Sequence, residues 1–384
     1  MTQTSRSHTE SVSSGLPSLQ HKATGRPYPN KTRPLASGPR KFGYAIVGLG
    51  GYAVNQILPA FADCQHARLA ALVSGSQEKM RRLGKQYGIE ENHLYSYEDY
   101  DRIAEDPDID AVYIILPNSL HAEFTIRAFE AGKHVLCEKP MAVTLEECQR
   151  MIAAGKKAGK ELMIGYRCHF DPLTHKAMAI ARGHDLGALR MLKTTISHML
   201  DPADPLGQWR LNAKLSGGGS LMDIGIYGIN ASRYLLNDEP VEVRASFAPK
   251  EKSLFKEVES TILWTMFYRS GVISEGSSSY DACMTSHFSL IGEKAFLDLD
   301  PATSYWANKV SLRQSGYTQT WSASMFDIEK LNQFSAQLDY LPISIAKGKL
   351  ETATAEEGMQ DIRLIQAIYE SARSGRAVAT DWSR

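Results

Sequence analysis

The chain has 384 residues, 43 basic and 43 acidic, so its formal charge at neutral pH is zero. That length exceeds one ordinary core and fits two domains of roughly 100 to 200 residues. The charge balance excludes the positive field that would draw it to nucleic acid or an anionic membrane, and no apolar run approaches the roughly 20 residues of a membrane helix.

In chain order, residues 1–40 come first, rich in Ser, Thr, Pro and Gly and without apolar periodicity, which describes an arm or a flexible tail. The end of this segment, GRPYPNKTRPLASGPRK, mixes prolines with basic residues, and such a stiffened strand loses less entropy on docking. Composition leaves both readings open. No apolar signal core occurs in the first 30 residues, so a cytoplasmic location is expected, or a periplasmic one if the chain is a processed or truncated form.

From Phe42 short buried strands alternate with amphipathic helices. FGYAIVG, ARLAALVS, DAVYIIL, HVLCEK and ELMIGY read as strands, while SQEKMRRLGKQYG and LHAEFTIRAFEAG read as helices. Strand and helix in alternation predict a doubly wound parallel sheet, a Rossmann domain over 41–167. After about residue 185 strands follow one another: ALRMLKTTISHM, VEVRASFA, ESTILWTMFYR, GVISEGSSS and HFSLIGEKAFLDL. They predict a second α+β domain over 168–384 with an open, largely antiparallel sheet, onto which a final helix over 356–375 packs back. The fold class is therefore α/β followed by α+β.

The loop GLGGYA (48–53) joins the first strand to a helix. Gly48 permits the tight turn, Gly50 lets the backbone approach a pyrophosphate, Ala53 keeps the helix close, and Gly51 and Tyr52 complete the loop. A carboxylate at the end of the second strand would bind the ribose of NAD and repel a 2′-phosphate. This chain has Ser74 there, followed by Lys79, Arg81 and Arg82, so NADP is expected.

Two strand ends bring chemistry to the carboxyl edge of the parallel sheet, where such folds bind ligands. PNSLH carries Pro117, Asn118 and His121, and a role in the cleft competes there with helix capping. CEKPM carries Glu138 and Lys139, and Pro140 confines the lysine backbone to extended conformations; a solvated strand end is the alternative. Further on, GGGSLMDIGIYG places Asp223 and Tyr227 four residues apart on one helical face. Ser220 and Asp223 also form the S-x-x-D pattern of a capping box, so the spacing leaves open whether Asp223 caps the helix or orients a substrate.

The five cysteines, Cys64, Cys137, Cys148, Cys168 and Cys283, form no C-x-x-C pair and read as buried thiols. No metal is expected, since neither H-E-x-x-H nor clustered His/Cys spacing occurs.

Taken together and in this order, GLGGYA, CEKP, GYRCHFDP and GGGSLMDIGIYG resemble the Gfo/Idh/MocA oxidoreductases, with the glucose-fructose oxidoreductase branch and related aldose oxidoreductases the most similar. The resemblance runs from about Arg26 to Trp382. It implies Lys139 as the site lysine, Asp223 as the group orienting the substrate, and Tyr227 as the proton acceptor or donor. It also implies that Ser74 and Lys79 grip the 2′-phosphate, and that Tyr166, Arg167, His169, Trp209 and Arg210 line the nicotinamide and sugar cleft. A free tyrosine ionises near ~10, so a nearby ammonium is needed to favour the phenolate, and Lys139 is the candidate. The activity implied is NADP-dependent oxidation of a cyclic aldose at C1 to an aldonolactone. Tightly bound NADP(H) would couple it by a ping-pong mechanism to reduction of a second aldose or ketose to an alditol. The alternatives are a sugar dehydrogenase that releases its cofactor and, further off, a non-catalytic NADP-sensing regulator. A homodimer or tetramer with an exchanged N-terminal arm is implied as well.

Overall fold

The computed structural model describes residues 40–380 apart from 202, 206, 250–254, 315–316 and 323–331. The proline-rich arm and its exchange lie outside the described residues.

Six parallel strands form the first sheet: β1 (Phe42–Val47), β2 (Ala67–Val73), β3 (Leu94–Tyr95), β4 (Ala111–Ile114), β5 (His134–Cys137) and β6 (Leu162–Ile164). Their order, β3-β2-β1-β4-β5-β6, is the dinucleotide-binding order, with the connections reversing direction beside β1. Helices cover both faces, so the strands are buried and read as unbroken apolar runs. Among the helices, Gln77–Tyr87 starts where Ser76 Oγ accepts the Lys79 N–H and stops at Gly88 in the left-handed region. β3 escaped the sequence reading because two residues at a sheet edge carry no periodicity.

The second sheet has nine strands: β7 (Leu189–Ser197), β8 (Pro240–Phe247), β9 (Thr261–Tyr268), β10 (Ile273–Ser279), β11 (Thr285–Gly292), β12 (Ala295–Leu299), β13 (Lys309–Gln314), β14 (Tyr317–Ser322) and β15 (Val378–Ala379). They run in the order β14-β13-β12-β11-β7-β10-β9-β8-β15, and among the described residues only β7 and β10 pair in parallel there. The stretch HFSLIGEKAFLDL, expected as one strand, is the hairpin β11–β12. Helices Ile226–Leu236 and Ala355–Ser374 pack on one face of this sheet, and residues along β9 alternate between buried and more exposed accordingly.

No helix of the described residues is long and apolar enough to cross a membrane. Four cysteines are buried as expected, but Cys283 is exposed, because it sits in the turn between β10 and β11 rather than in a strand.

Candidate active site

The glycine loop leaves β1 with Gly48 at φ +94°, where an added Cβ would lie 2.2 Å from the Ile115 carbonyl oxygen. Only glycine fits that turn. Gly50 and Gly51, by contrast, are exposed, and a Cβ on Gly50 would meet nothing within 4 Å. The loop therefore offers bare backbone and open space at the carboxyl end of β1, which fits a pyrophosphate. Ser74 follows β2, buried, with its Oγ accepting the Ser76 N–H at 3.2 Å, and Lys79 Nζ reaches back to donate to the Leu49 carbonyl at 3.3 Å, which brings the ammonium to the glycine loop. Arg82 is exposed on the same helix, and Tyr52 packs against Tyr305 and Phe334.

The polar helix entry that bears Asp223 resolves the capping question. Ser220 Oγ pairs with Ser278 Oγ at 3.0 Å and makes no cap. The amides at the entry are satisfied from another segment: Glu259 Oε2 accepts the Gly219 N–H and Oε1 the Leu221 N–H, each at 2.9 Å, and Tyr369 OH donates to Oε1 at 2.8 Å. Glycines are required where this grip is closest, since a Cβ on Gly219 would lie 1.9 Å from the Glu259 carbonyl oxygen. With the capping done by Glu259, Asp223 is free to face the cleft.

Asp223 Oδ2 accepts from Arg210 Nε and from Tyr280 OH, both at 2.8 Å, and Oδ1 stands 3.5 Å from Lys139 Nζ. The ammonium is nearer the main chain, donating to the Asp223 carbonyl oxygen at 2.6 Å, and it lies 4.6 Å from the centre of the Tyr227 ring. Burial favours the neutral acid, but Arg210 and Lys139 outweigh it and hold the Asp223 carboxyl well below its usual range. Burial likewise opposes the Lys139 charge, and Tyr227, Asp223 and Glu138 overcome it, raising the lysine above its ordinary value. Arg167 completes the group, its Nε donating to Tyr227 OH at 3.2 Å. Trp209 stacks beneath the Arg210 guanidinium at 4.5 Å.

Lys139, Asp223, Tyr227, Arg167 and Arg210 thus converge, while other expected residues serve nearby. His121 is fully buried with its ring nitrogens at the Pro140 and Leu116 carbonyls, 2.8 and 2.9 Å away, tying the loops after β4 and β5 together beside Pro117. Asn118 Nδ2 donates to the Ser216 carbonyl at 2.7 Å. Glu138 accepts from Tyr113 OH and from the Lys139 N–H, facing the core, where burial raises its carboxyl. Tyr166 OH donates to Asp361 Oδ2 at 2.5 Å, and His169 bridges Thr352 and Asn230, so the polar atoms of both are engaged in a buried network. Two contributors went unnoticed in the sequence. Tyr280 ends a serine run, and Tyr305, whose ring lies 4.5 Å from the Arg167 guanidinium, sits in the loop between β12 and β13, which carries no motif.

A dinucleotide cradle beside a lysine, an aspartate and a tyrosine defines an oxidoreductase of the nicotinamide-dependent class. Residues 42–166 match the oxidoreductase family with an NAD-binding Rossmann fold, and residues 179–380 match its C-terminal alpha/beta domain. The chain belongs to the Gfo/Idh/MocA oxidoreductase family. Its fold is similar to the crystal structure of an aldose-aldose oxidoreductase from Caulobacter crescentus, with a TM-score of 0.84 and 47% identity over 88% of this chain and 100% of that one. It is 29% identical over 340 residues to a D-xylose 1-dehydrogenase [NADP(+)] of Haloarcula marismortui, covering 88% of this chain and 93% of that one. A 1,5-anhydro-D-fructose reductase of Ensifer adhaerens is 30% identical over 344 residues, 87% of this chain and 97% of the relative.

Proposed function

We propose that this oxidoreductase removes hydride from C1 of a cyclic aldose and yields the aldonolactone, using NADP. The observation that carries this reading is the meeting of Lys139, Asp223 and Tyr227 at the carboxyl edge of the first sheet. The names of the aldose-aldose oxidoreductase and the xylose dehydrogenase support a sugar substrate.

NADP supplies the hydride acceptor when bound. The backbone of Gly50 and Gly51 would hold its pyrophosphate, and Ser74 and Lys79 would hold the 2′-phosphate, with no acid after β2 to repel it. Asp223, kept ionised by Arg210 and Lys139, accepts a hydrogen bond from a sugar hydroxyl and so orients the ring. Lys139 donates toward the hydroxyl at C1, and Tyr227 takes its proton as general base. Help of this kind is worth about 10²- to 10⁴-fold. Tyr227→Phe is therefore expected to lose turnover in that range while binding NADP as tightly as before; turnover close to that of the unaltered chain would overturn the assignment.

Retention of NADP(H) between half-reactions, with a second sugar leaving as an alditol, is the coupled form of the reaction. A subunit assembly with an exchanged arm belongs to it. The dehydrogenase relatives favour the other form, in which cofactor leaves after each turnover. Adding an aldose to the purified protein without cofactor separates them: a reduced-nicotinamide band appears in the coupled form and none in the other.

A further inference from the structure

Two arginines in this part of the molecule are neutralised by carboxylates: the largely enclosed Arg233 by Asp361 and Glu239, and the half-buried Arg210 by Asp223. Arg167 is 3% exposed, and its contacts are of another kind. Nη1 donates to Gln333 Oε1 at 2.8 Å and Nη2 to the Thr303 carbonyl at 2.6 Å, both neutral acceptors. The ring centres of Tyr305 and Tyr227 lie 4.5 and 5.0 Å from the guanidinium carbon. Among the described residues no carboxylate stands within ion-pair reach of it. The buried Glu138 carboxylate acts on Arg167 only through space; burying a cation without an ion-pair partner is costly, and the one ionisable group among the described residues that accepts a hydrogen bond from Arg167 is the Tyr227 phenol.

We propose that Arg167 is a positioning residue that stabilises the ionised form of Tyr227 and turns its oxygen toward the substrate. The inference rests on Tyr227 acting as the base. A guanidinium does not lose its proton in a protein, so its Nε–H always faces the phenol oxygen as a donor. The Tyr227 O–H, when present, must then point away from Arg167, into the cleft. Lys139 is placed differently: its ammonium faces the ring and its short hydrogen bond goes to the Asp223 main chain. Lys139 and Tyr227 thus act on each other through charge across the ring, and Arg167 is the cation whose hydrogen bond reaches the phenol oxygen itself. In the step itself the C1 hydroxyl O–H bond breaks and its proton passes to the Tyr227 oxygen; NADP, when bound, would supply the acceptor for the C1–H electron pair as hydride, which balances the two-electron oxidation of the sugar.

The test measures two quantities in the full chain, Arg167→Met and Arg167→Lys. The first is the pH profile of kcat/KM for aldose oxidation. The second is the tyrosinate absorbance titration, with the Tyr227 contribution assigned by its loss in Tyr227→Phe. In Arg167→Met both midpoints are expected to move up by about one pH unit or more, while NADP affinity, read by protein fluorescence, stays within a few-fold. Arg167→Lys keeps the charge without the Nε–H and is expected to move both midpoints upward by less. Unmoved midpoints with NADP affinity reduced ten-fold or more would make Arg167 a cofactor anchor and overturn the proposal. If Arg167→Met does not fold, unmoved midpoints in Arg167→Lys overturn it alone. The absorbance titration needs no turnover, so it still reads the coupling between the two residues if an active Tyr227→Phe removes the base assignment.

Discussion

Two polar clusters, built from the same side-chain types, lie along one helix and behave differently. At its entry Asp223 meets Arg210, Lys139 and Tyr280, with side-chain exposures of 17% for the aspartate, 30% for the arginine and 10% for the lysine. Further along, Asn230 and Arg233 bind Asp361, which is fully buried and also accepts from Tyr166. His169 joins this second cluster through Asn230, and Glu357 stands 3.2 Å from its ring. Asp223 faces two cations and is held low. Asp361 shares a single arginine with Glu239, and burial dominates, pushing its carboxyl up to about 6. A carboxylate with surplus positive charge and an open side can bind a substrate hydroxyl. One that is sealed in with all its donors supplied by protein can only brace the helix that carries Tyr227.

The largest expected effect comes from opening the sealed cluster. Arg233→Ala leaves Asp361 without its cation, and such a loss costs about 3 to 5 kcal/mol. Urea unfolding is expected to show it, with turnover of the remaining folded protein little changed. Arg210→Ala should do the reverse, because Lys139 still faces Asp223 and water reaches the site: about 1 kcal/mol of stability, and a pronounced loss of turnover. If Arg210→Ala proved the more destabilising of the two, the contrast between the clusters would fail.

The same contrast has a sign in pH. An unfolded aspartate ionises near ~3.9, and folded Asp361 at about 6, so between those values the folded chain holds the extra proton. The contribution of Asp361 is fully present below ~4 and is lost as pH rises through ~6, by up to about 3 kcal/mol. Asp223 has its carboxyl lowered, so its contribution is present above ~4 and fades as pH falls below that. The measurement is the stability difference between the unaltered chain and each of Asp361→Asn and Asp223→Asn across pH. It should decline toward neutrality for the first and climb and then level for the second; slopes of equal sign would remove the distinction.

This division was only partly legible in the sequence. The parallel sheet was, because strands buried on both faces leave unbroken apolar runs, and so was the glycine loop, because turn geometry is local. The strands after β12 and the two-residue edges were not, since their pairing depends on partners far along the chain. In GYRCHF the side chains part company: Tyr166 and His169 turn into the sealed cluster while Arg167 turns to Tyr227. Adjacent residues carry no mark of which way a short 3-10 turn will point them. Asp223 was ambiguous for a similar reason, because the acid that caps its helix, Glu259, is 38 residues away from the Leu221 amide it binds.

The smallest effects come from a matched pair of hydroxyls. Tyr166 donates to Asp361 at 2.5 Å and Tyr280 to Asp223 at 2.8 Å, and in each case phenylalanine removes one hydrogen bond to a charged oxygen. In the sealed cluster no water can replace the donor, so Tyr166→Phe is expected to cost about 1.5 to 3 kcal/mol of stability. Asp223 keeps Arg210 on the same oxygen and an exposed edge for water, so Tyr280→Phe is expected to cost about 0.5 to 1.5 kcal/mol and to show itself mainly as a raised KM for the sugar. Equal losses in urea unfolding would mean that Asp223 is as enclosed as Asp361, leaving too little room beside it for a substrate hydroxyl.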